Sequence, residues 1–209
     1  MRILSYLLLS LFLLGGLGWV SGKLEIKWVV DKEEPQTAEE KTPINYDELS
    51  AEELLPLAEK GDAEAQLTLG SRYYLGKGAP KDYQEAAKWT RRAAEQGMVK
   101  AQYSLGLMYD LGQGVVPQNY QLQLAVKWFR RAAEQGFAKA QRLLGHKYRQ
   151  GQGVPQDSVL AYKWYNLAAA QGSKLPRENK DELAKQMNSS QIQEAQRLAR
   201  EFKPKKENP

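Results

Sequence analysis

Small apolar residues and single aromatic residues recur at helical spacing through the middle of the chain. In one segment, apolar residues stand at i, i+4 and i+8, which places them on one face of a helix. A following segment repeats apolar residues at i, i+3 and i+7, with a tryptophan in the centre. The pattern predicts two antiparallel helices packed so closely that the tryptophan fills the space between them. In the first copy these residues are Ala65, Leu69, Tyr73, Ala86, Trp89 and Ala93.

This two-helix pattern occurs three times, and a glycine closes each copy. Gly97 lies 39 residues before Gly136, and Gly172 lies 36 residues after it, so the second copy carries three extra residues. The extra residues fall between Val115 and Leu124. A fixed period of this size predicts an α-solenoid, a stack of helical pairs. The repeats are assigned to residues 62–97, 98–136 and 137–172.

Nine positions form the predicted frame, meaning the residues that all three copies share for packing. The closing glycines are expected to end helices in the left-handed conformation. Each first helix also contains an interior glycine, which costs about 1 kcal/mol relative to alanine. We therefore expect a neighbouring ring, from Trp or Tyr, to press on the backbone there. The frame consists of Gly70, Trp89, Gly97, Gly106, Trp128, Gly136, Gly145, Trp164 and Gly172.

Segments at both ends of the stack predict caps, because a terminal repeat would otherwise expose its apolar face. Ser50 and Glu53 have capping-box spacing, which predicts a helix within residues 46–61 that forms half a repeat. Residues 173–203 predict a pair of C-terminal capping helices, and residues 204–209 a disordered tail. The expected fold class is all-α: a solenoid of three antiparallel helix pairs with a half-repeat N-cap and a C-terminal helix pair.

The repeated letters resemble a known family. The pattern A-x-x-x-L-G-x-x-Y-x-x-G-x-G, followed by A-x-x-W-x-x-x-A-A-x-x-G, is similar to the Sel1-like repeats, relatives of the tetratricopeptide repeats, over residues 58–172. The three-residue insert of the second copy departs from it. The resemblance implies a right-handed superhelix whose first helices line a concave face. It also implies protein–protein interaction, often in bacterial envelope, signalling or host-contact settings.

Partner recognition is expected at first-helix positions that differ between the copies, since packing occupies the frame positions. The partner is predicted to be another protein or a peptide, because three repeats form a short arc. The candidate binding residues on this concave face are Leu67, Ser71, Arg72, Tyr74, Tyr103, Leu107, Met108, Asp110, Arg142, His146, Lys147 and Arg149.

The N-terminal segment, residues 1–22, has the features of an export signal: a basic start and an apolar run over residues 3–20. Two interpretations remain open. One is a signal peptide cleaved near Gly22, which predicts a periplasmic or secreted protein. The other is an uncleaved membrane anchor, because 18 residues are just long enough to span a bilayer. In both cases the repeats are expected outside the cytoplasm.

Charge is divided unevenly along the chain, whose net charge is +5. Residues 23–57 hold 4 basic and 10 acidic side chains, and within them residues 23–45 predict an acidic flexible linker. Residues 58–172 hold 16 basic and 9 acidic side chains, which would attract an anionic partner or membrane surface. The basic residues are interspersed with glutamates and no nucleic-acid motif accompanies them, so no nucleic-acid partner is expected.

Candidate chemistry is sparse. The chain has no cysteine and a single histidine, which excludes disulfides and a structural zinc site of the usual Cys and His ligands. No nucleophile–base pair or phosphate-binding loop stands out, so no catalytic residue, metal or cofactor is expected. The favoured function is an exported, non-catalytic scaffold or adaptor of the bacterial cell envelope. Two alternatives stay open: a binder of anionic envelope polymer or membrane surface, and a weak hydrolase of the same repeat family. The oligomeric state is not predicted.

Overall fold

The computed structural model describes residues 16–20, 23–27, 44–114, 120–172 and 174–205. The chain divides into two compact units, Met1–Ile44 and Asn45–Pro209. In the first unit, strand β1 (Gly16–Val20) pairs antiparallel with strand β2 (Lys23–Lys27), and Val20 lies opposite Lys23.

Strand β2 differs from the flexible linker expected from residue 23 onward. Its sequence, Lys-Leu-Glu-Ile-Lys, alternates polar and apolar residues, which is the period-two pattern of a strand. The rest of the predicted linker up to residue 43 lies outside the described residues. So does the predicted export segment, apart from β1. Within the described ranges, no helix is long and apolar enough to cross a membrane.

The described part of the second unit is a stack of nine helices, which confirms the all-α solenoid expected there. Helices pair within each repeat as α2–α3, α4–α5 and α6–α7, and α3–α4 and α5–α6 join the repeats. Helix α1 packs on α2, and α8 and α9 pack on α7, so both ends are covered. The helices are α1 Ala51–Glu59, α2 Ala63–Leu75, α3 Tyr83–Glu95, α4 Val99–Asp110, α5 Gln121–Glu134, α6 Ala138–Gln150, α7 Ser158–Ala170, α8 Lys174–Ala184 and α9 Ser189–Arg200.

The core follows the predicted frame. Trp89, Trp128 and Trp164 are between 4% and 6% exposed, and Ala65 and Leu69 are fully buried. The closing glycines of the three repeats have φ angles of 87°, 91° and 91°, the left-handed conformation expected of them. The buried tryptophans and the closing glycines therefore hold the stack together as expected.

The C-terminal tail begins later than the sequence suggested. Phe202 packs edge-on against Trp164, with ring centroids 5.7 Å apart. The backbone N–H of Lys205 donates to the carbonyl oxygen of Glu134 at 2.8 Å, and its Nζ pairs with the same residue's carboxylate at 2.8 Å. The prediction of disorder from residue 204 was therefore wrong for Pro204 and Lys205. The anchoring contacts come from distant helices, which local composition does not reveal. Residues 206–209 lie outside the described residues.

Candidate functional site

The interior glycine of each first helix faces one side chain from the second helix of the same repeat. A Cβ added at these glycines would lie 2.5, 2.6 and 2.8 Å from that side chain in repeats 1, 2 and 3. The expected close approach is confirmed. The pressing residue is the one after each tryptophan, not the tryptophan itself, and it is a tyrosine only in repeat 3. The pairs are Gly70–Thr90, Gly106–Phe129 and Gly145–Tyr165.

Repeat 1 differs from the other two because Thr90 replaces an aromatic ring. A pocket of about 200 Å³ lies beside Thr90, between helices α2 and α4, and we call it the repeat 1 pocket. Gly70 and Thr90, both buried, form its base. None of its lining side chains is charged. Its walls are formed by Ser71, Tyr74, Ser104, Leu107 and Met108.

Two exposed leucines complete the repeat 1 pocket. Leu75 on α2 is 59% exposed and Leu111, just after α4, is 62% exposed. They occupy the same position in successive repeats, where repeat 3 has Gln150. Covering exposed apolar area is favourable by about 25 cal/mol per Å². The leucines and the uncharged pocket between them therefore form a surface suited to an apolar ligand group.

The wall residue Tyr74 is fixed in place. Its hydroxyl donates to Oε1 of Gln113 at 2.6 Å, and its ring lies 5.2 Å from that of Tyr83. A ring held by a hydrogen bond and by a neighbouring ring loses little freedom when a ligand binds beside it. The pocket wall is therefore preorganised.

Four of the twelve predicted binding residues line this pocket: Ser71, Tyr74, Leu107 and Met108. Sequence reasoning missed four other lining residues, Leu75, Thr90, Ser104 and Leu111. A signal was present, because the residue after the tryptophan changes from Thr to Phe to Tyr along the repeats. That signal lies on the second helix, whereas the predicted binding residues all lie on first helices.

At one predicted binding position, which holds Arg72, Met108 and Lys147 in the three repeats, the charged side chains make contacts within the stack. Arg72 donates from Nη2 to the backbone carbonyl of Asp47 at 2.6 Å, which ties α2 to the segment before α1. Lys147 is 6% exposed and pairs with Asp110 of the preceding repeat. Met108, at the same position in repeat 2, is 4% exposed. Arg72 and Lys147 thus join neighbouring parts of the stack, which occupies their charged groups.

Another predicted position, which holds Leu67, Tyr103 and Arg142 in the three repeats, is half-buried. Leu67 and Tyr103 pack against the core, and the Tyr103 ring meets Phe137 edge-on at 5.2 Å. Arg142, at the same position in repeat 3, lines a second shallow cavity together with Lys139 and Lys174. Basic side chains therefore line the cavity beside repeat 3, whereas the repeat 1 pocket has exposed leucines at its edge.

The single histidine lies on the face of α6. Its Nδ1 is 3.1 Å from the hydroxyl of Tyr165, within hydrogen-bonding distance. Burial lowers the pKa of His146 below its usual value, and the positive charges of Arg149, Lys147 and Arg142 add to the effect. Burial also raises the pKa of Tyr165. In the part of the chain that the structure describes, no three His, Cys, Asp or Glu side chains are grouped to hold a metal ion.

The three repeats match a known protein family. The model of the Sel1 repeat matches residues 63–98, 99–137 and 138–173, just over half of the chain, one residue later than the boundaries assigned above. Among curated proteins, none matches the chain.

Among the solved structures that resemble the chain are two with related repeats. One is a protective antigen present in uropathogenic Escherichia coli strains and displaying an SLR fold, with 35% identity and a TM-score of 0.65 over 73% of this chain. The chain spans about a third of that antigen, 32% of its length. The other is a Sel1 repeat protein from Oxalobacter formigenes, with 42% identity and a TM-score of 0.56, covering 62% of this chain and 95% of that one.

Proposed function

The chain belongs to the Sel1 repeat family, and we propose that it is a non-catalytic scaffold that binds another protein through the groove between its first helices. Sel1 repeats generally mediate protein–protein interactions. The observation that carries the proposal is the repeat 1 pocket, with Leu75 and Leu111 exposed at its edge. Exposed leucines beside an uncharged pocket are typical of a surface that a partner covers.

The pocket chemistry supports binding in preference to catalysis. Ser71 and Ser104 bring hydroxyl groups to the walls, but the lining has no histidine, carboxylate or lysine to take a proton from them. A hydrolase would need such a base within hydrogen-bonding distance of its nucleophile.

The cellular setting forms part of the proposal. We propose export to the bacterial cell envelope, supported by the basic start and the apolar run over residues 3–20. N-terminal sequencing of the mature protein, combined with membrane fractionation, tests it. A soluble protein that starts near Lys23 would establish cleavage, whereas an intact N-terminus in the membrane fraction would establish the anchor. An intact chain in the cytoplasm would contradict export.

The scaffold proposal is tested by cross-linking in intact cells, followed by affinity purification of the full chain. We expect one protein partner in stoichiometric amount. A matched set of variants locates the surface: Leu75→Gln with Leu111→Gln copies the residue of repeat 3, and Leu55→Gln changes an exposed leucine on α1, outside both the repeat 1 pocket and the basic cavity. The double variant should lose the partner and the control should keep it. Recovery of lipid or glycan alone would contradict the scaffold.

A second candidate function has its own supporting observation. Lys139, Arg142 and Lys174 line one shallow cavity, which suits an anionic envelope polymer. Such binding should weaken steeply as salt rises, because mobile ions screen exposed charges. Binding to an anionic polysaccharide that is unchanged between low and high salt would count against this candidate.

A further inference from the structure

We propose that the repeat 1 pocket receives one aromatic side chain from the protein partner, a proposal that rests on the scaffold function above. Repeats 2 and 3 fill the corresponding place beside the interior glycine with their own rings, Phe129 and Tyr165, both fully buried. Repeat 1 has the same glycine but offers only Thr90. The other two copies thus indicate which chemical group this location accepts.

The volume of the pocket fits a single ring. It measures about 200 Å³. An apolar cavity of about 150 Å³ in another protein is large enough to bind benzene. A partner ring therefore fits beside Thr90, with room left for the atoms that join it to the partner's backbone.

The wall chemistry favours an aromatic over an aliphatic group. The thioether of Met108 can contact a ring edge, which is worth about 0.3–1.5 kcal/mol. The fixed ring of Tyr74 offers a partner for edge-to-face packing, which adds about 0.5–1.5 kcal/mol beyond the area buried. The hydroxyls of Ser71 and Ser104 can satisfy a tyrosine hydroxyl or an indole N–H. Leu75 and Leu111 then cover the ring's outer side.

The pocket is tested on the full chain by methyl NMR, with N-acetyl-phenylalanine amide as the probe and N-acetyl-alanine amide as its control. We expect the phenylalanine probe to shift the methyl signals of Leu107, Met108 and Leu111 in a saturable way, and the alanine probe to leave them unchanged. Thr90→Phe, which copies repeat 2, should abolish the shifts. Absence of saturable shifts, or equal shifts in Thr90→Phe, would overturn the proposal.

The same variant separates this inference from the scaffold function. In the cross-linking experiment, Thr90→Phe should recover about tenfold less partner, the effect of losing one buried anchor. Full recovery would refute the pocket and leave the scaffold standing. No protein partner from the wild type would refute the scaffold, and the probe titration would still decide whether a ring binds.

Two controls deal with misfolding of the variant and with self-association of the chain. If Thr90→Phe does not fold, as judged by circular dichroism, Leu111→Gln replaces it and should weaken probe binding. Sedimentation tests whether a second copy of the chain fills the pocket. A wild-type dimer that Thr90→Phe turns into a monomer would contradict an aromatic anchor from another protein.

Discussion

Repeat 1 and repeat 2 share a backbone plan and differ in what lies against the interior glycine. In repeat 2, Phe129 fills the space against Gly106, and the ring is fully buried. In repeat 1, Thr90 lies against Gly70, and a pocket of about 200 Å³ remains. The difference indicates that one smaller side chain on a second helix can leave a pocket in an otherwise packed groove without altering the solenoid.

Where the repeats agree, the same hydrogen bonds recur within each repeat and connect its first helix to the preceding helix. A buried glutamine on each first helix donates its amide N–H to a backbone carbonyl near the end of the preceding helix, and its side-chain oxygen accepts from a glutamine at the end of the following helix. These side chains add a hydrogen bond to carbonyls near the helix ends, each of which also accepts the backbone N–H of the glycine that follows the helix. The glutamine pairs are Gln66–Gln96, Gln102–Gln135 and Gln141–Gln171.

The largest expected difference between the repeats comes from truncating the side chain against the interior glycine. Phe129→Ala should lower the free energy of unfolding by about 3–5 kcal/mol, because it opens a cavity in a filled core. Thr90→Ala should cost about 1 kcal/mol, since a pocket is already present. Urea unfolding followed by circular dichroism measures both. Similar losses would mean that the two sites are packed alike.

A second test compares glycines of equal backbone conformation. Gly78 and Gly153 have φ angles of 73° and 74°, so alanine at either carries the same left-handed penalty of about 1–2 kcal/mol. A Cβ at Gly78 meets nothing within 4 Å, whereas one at Gly153 would overlap the backbone carbonyl of Leu122. Gly153→Ala should therefore cost about 1–3 kcal/mol more than Gly78→Ala in thermal unfolding. Equal melting temperatures would contradict the close inter-repeat contact.

Substitutions in the glutamine network should cost the same stability in all three repeats, because the same hydrogen bonds occur in each. Gln66→Leu, Gln102→Leu and Gln141→Leu each remove two hydrogen bonds, one donated to a carbonyl near a helix end and one accepted from the glutamine of the following helix. At about 0.5–1.5 kcal/mol for each bond, the loss should be about 1–3 kcal/mol. Chemical unfolding of the three variants should give losses that agree within about 0.5 kcal/mol. A much smaller loss in one repeat would show that its network is not equivalent.

The smallest expected effect is a pH response confined to repeat 3. Because the pKa of His146 is lowered on folding, the folded state favours the neutral ring. That contribution is complete above the unfolded value of 6.5 and is lost as pH falls toward the folded pKa. Wild-type stability should therefore decrease more between pH 7.5 and pH 5.5 than that of His146→Gln. Parallel pH profiles from urea titrations would exclude the effect.

Internal repetition made most of the helical fold predictable. Three aligned copies distinguish frame positions from variable ones, so the tryptophans, the closing glycines and the repeat boundaries followed directly from the sequence. Features that occur once were harder to predict. The docking of Lys205 on Glu134 joins residues 71 positions apart, and the strand at Lys23–Lys27 lies in a segment whose acidic composition suggested a linker.

The repeat 1 pocket was only partly predictable, because it arises where one repeat has a smaller side chain than the others. The variable first-helix positions include four residues that line the pocket, Ser71, Tyr74, Leu107 and Met108. They also included Lys147, whose charge is used within the stack. Thr90 lies on a second helix, and its significance emerges only when its size is compared with the rings that fill repeats 2 and 3.

The central claim, that repeat 1 has room for a ring where Thr90 stands, is tested most directly by the free energy of unfolding of Thr90→Phe. A ring that fills existing space should leave the free energy unchanged or raise it by about 0.5–2 kcal/mol, as other cavity-filling substitutions do. A loss of more than about 1 kcal/mol would indicate overpacking and would contradict the claim.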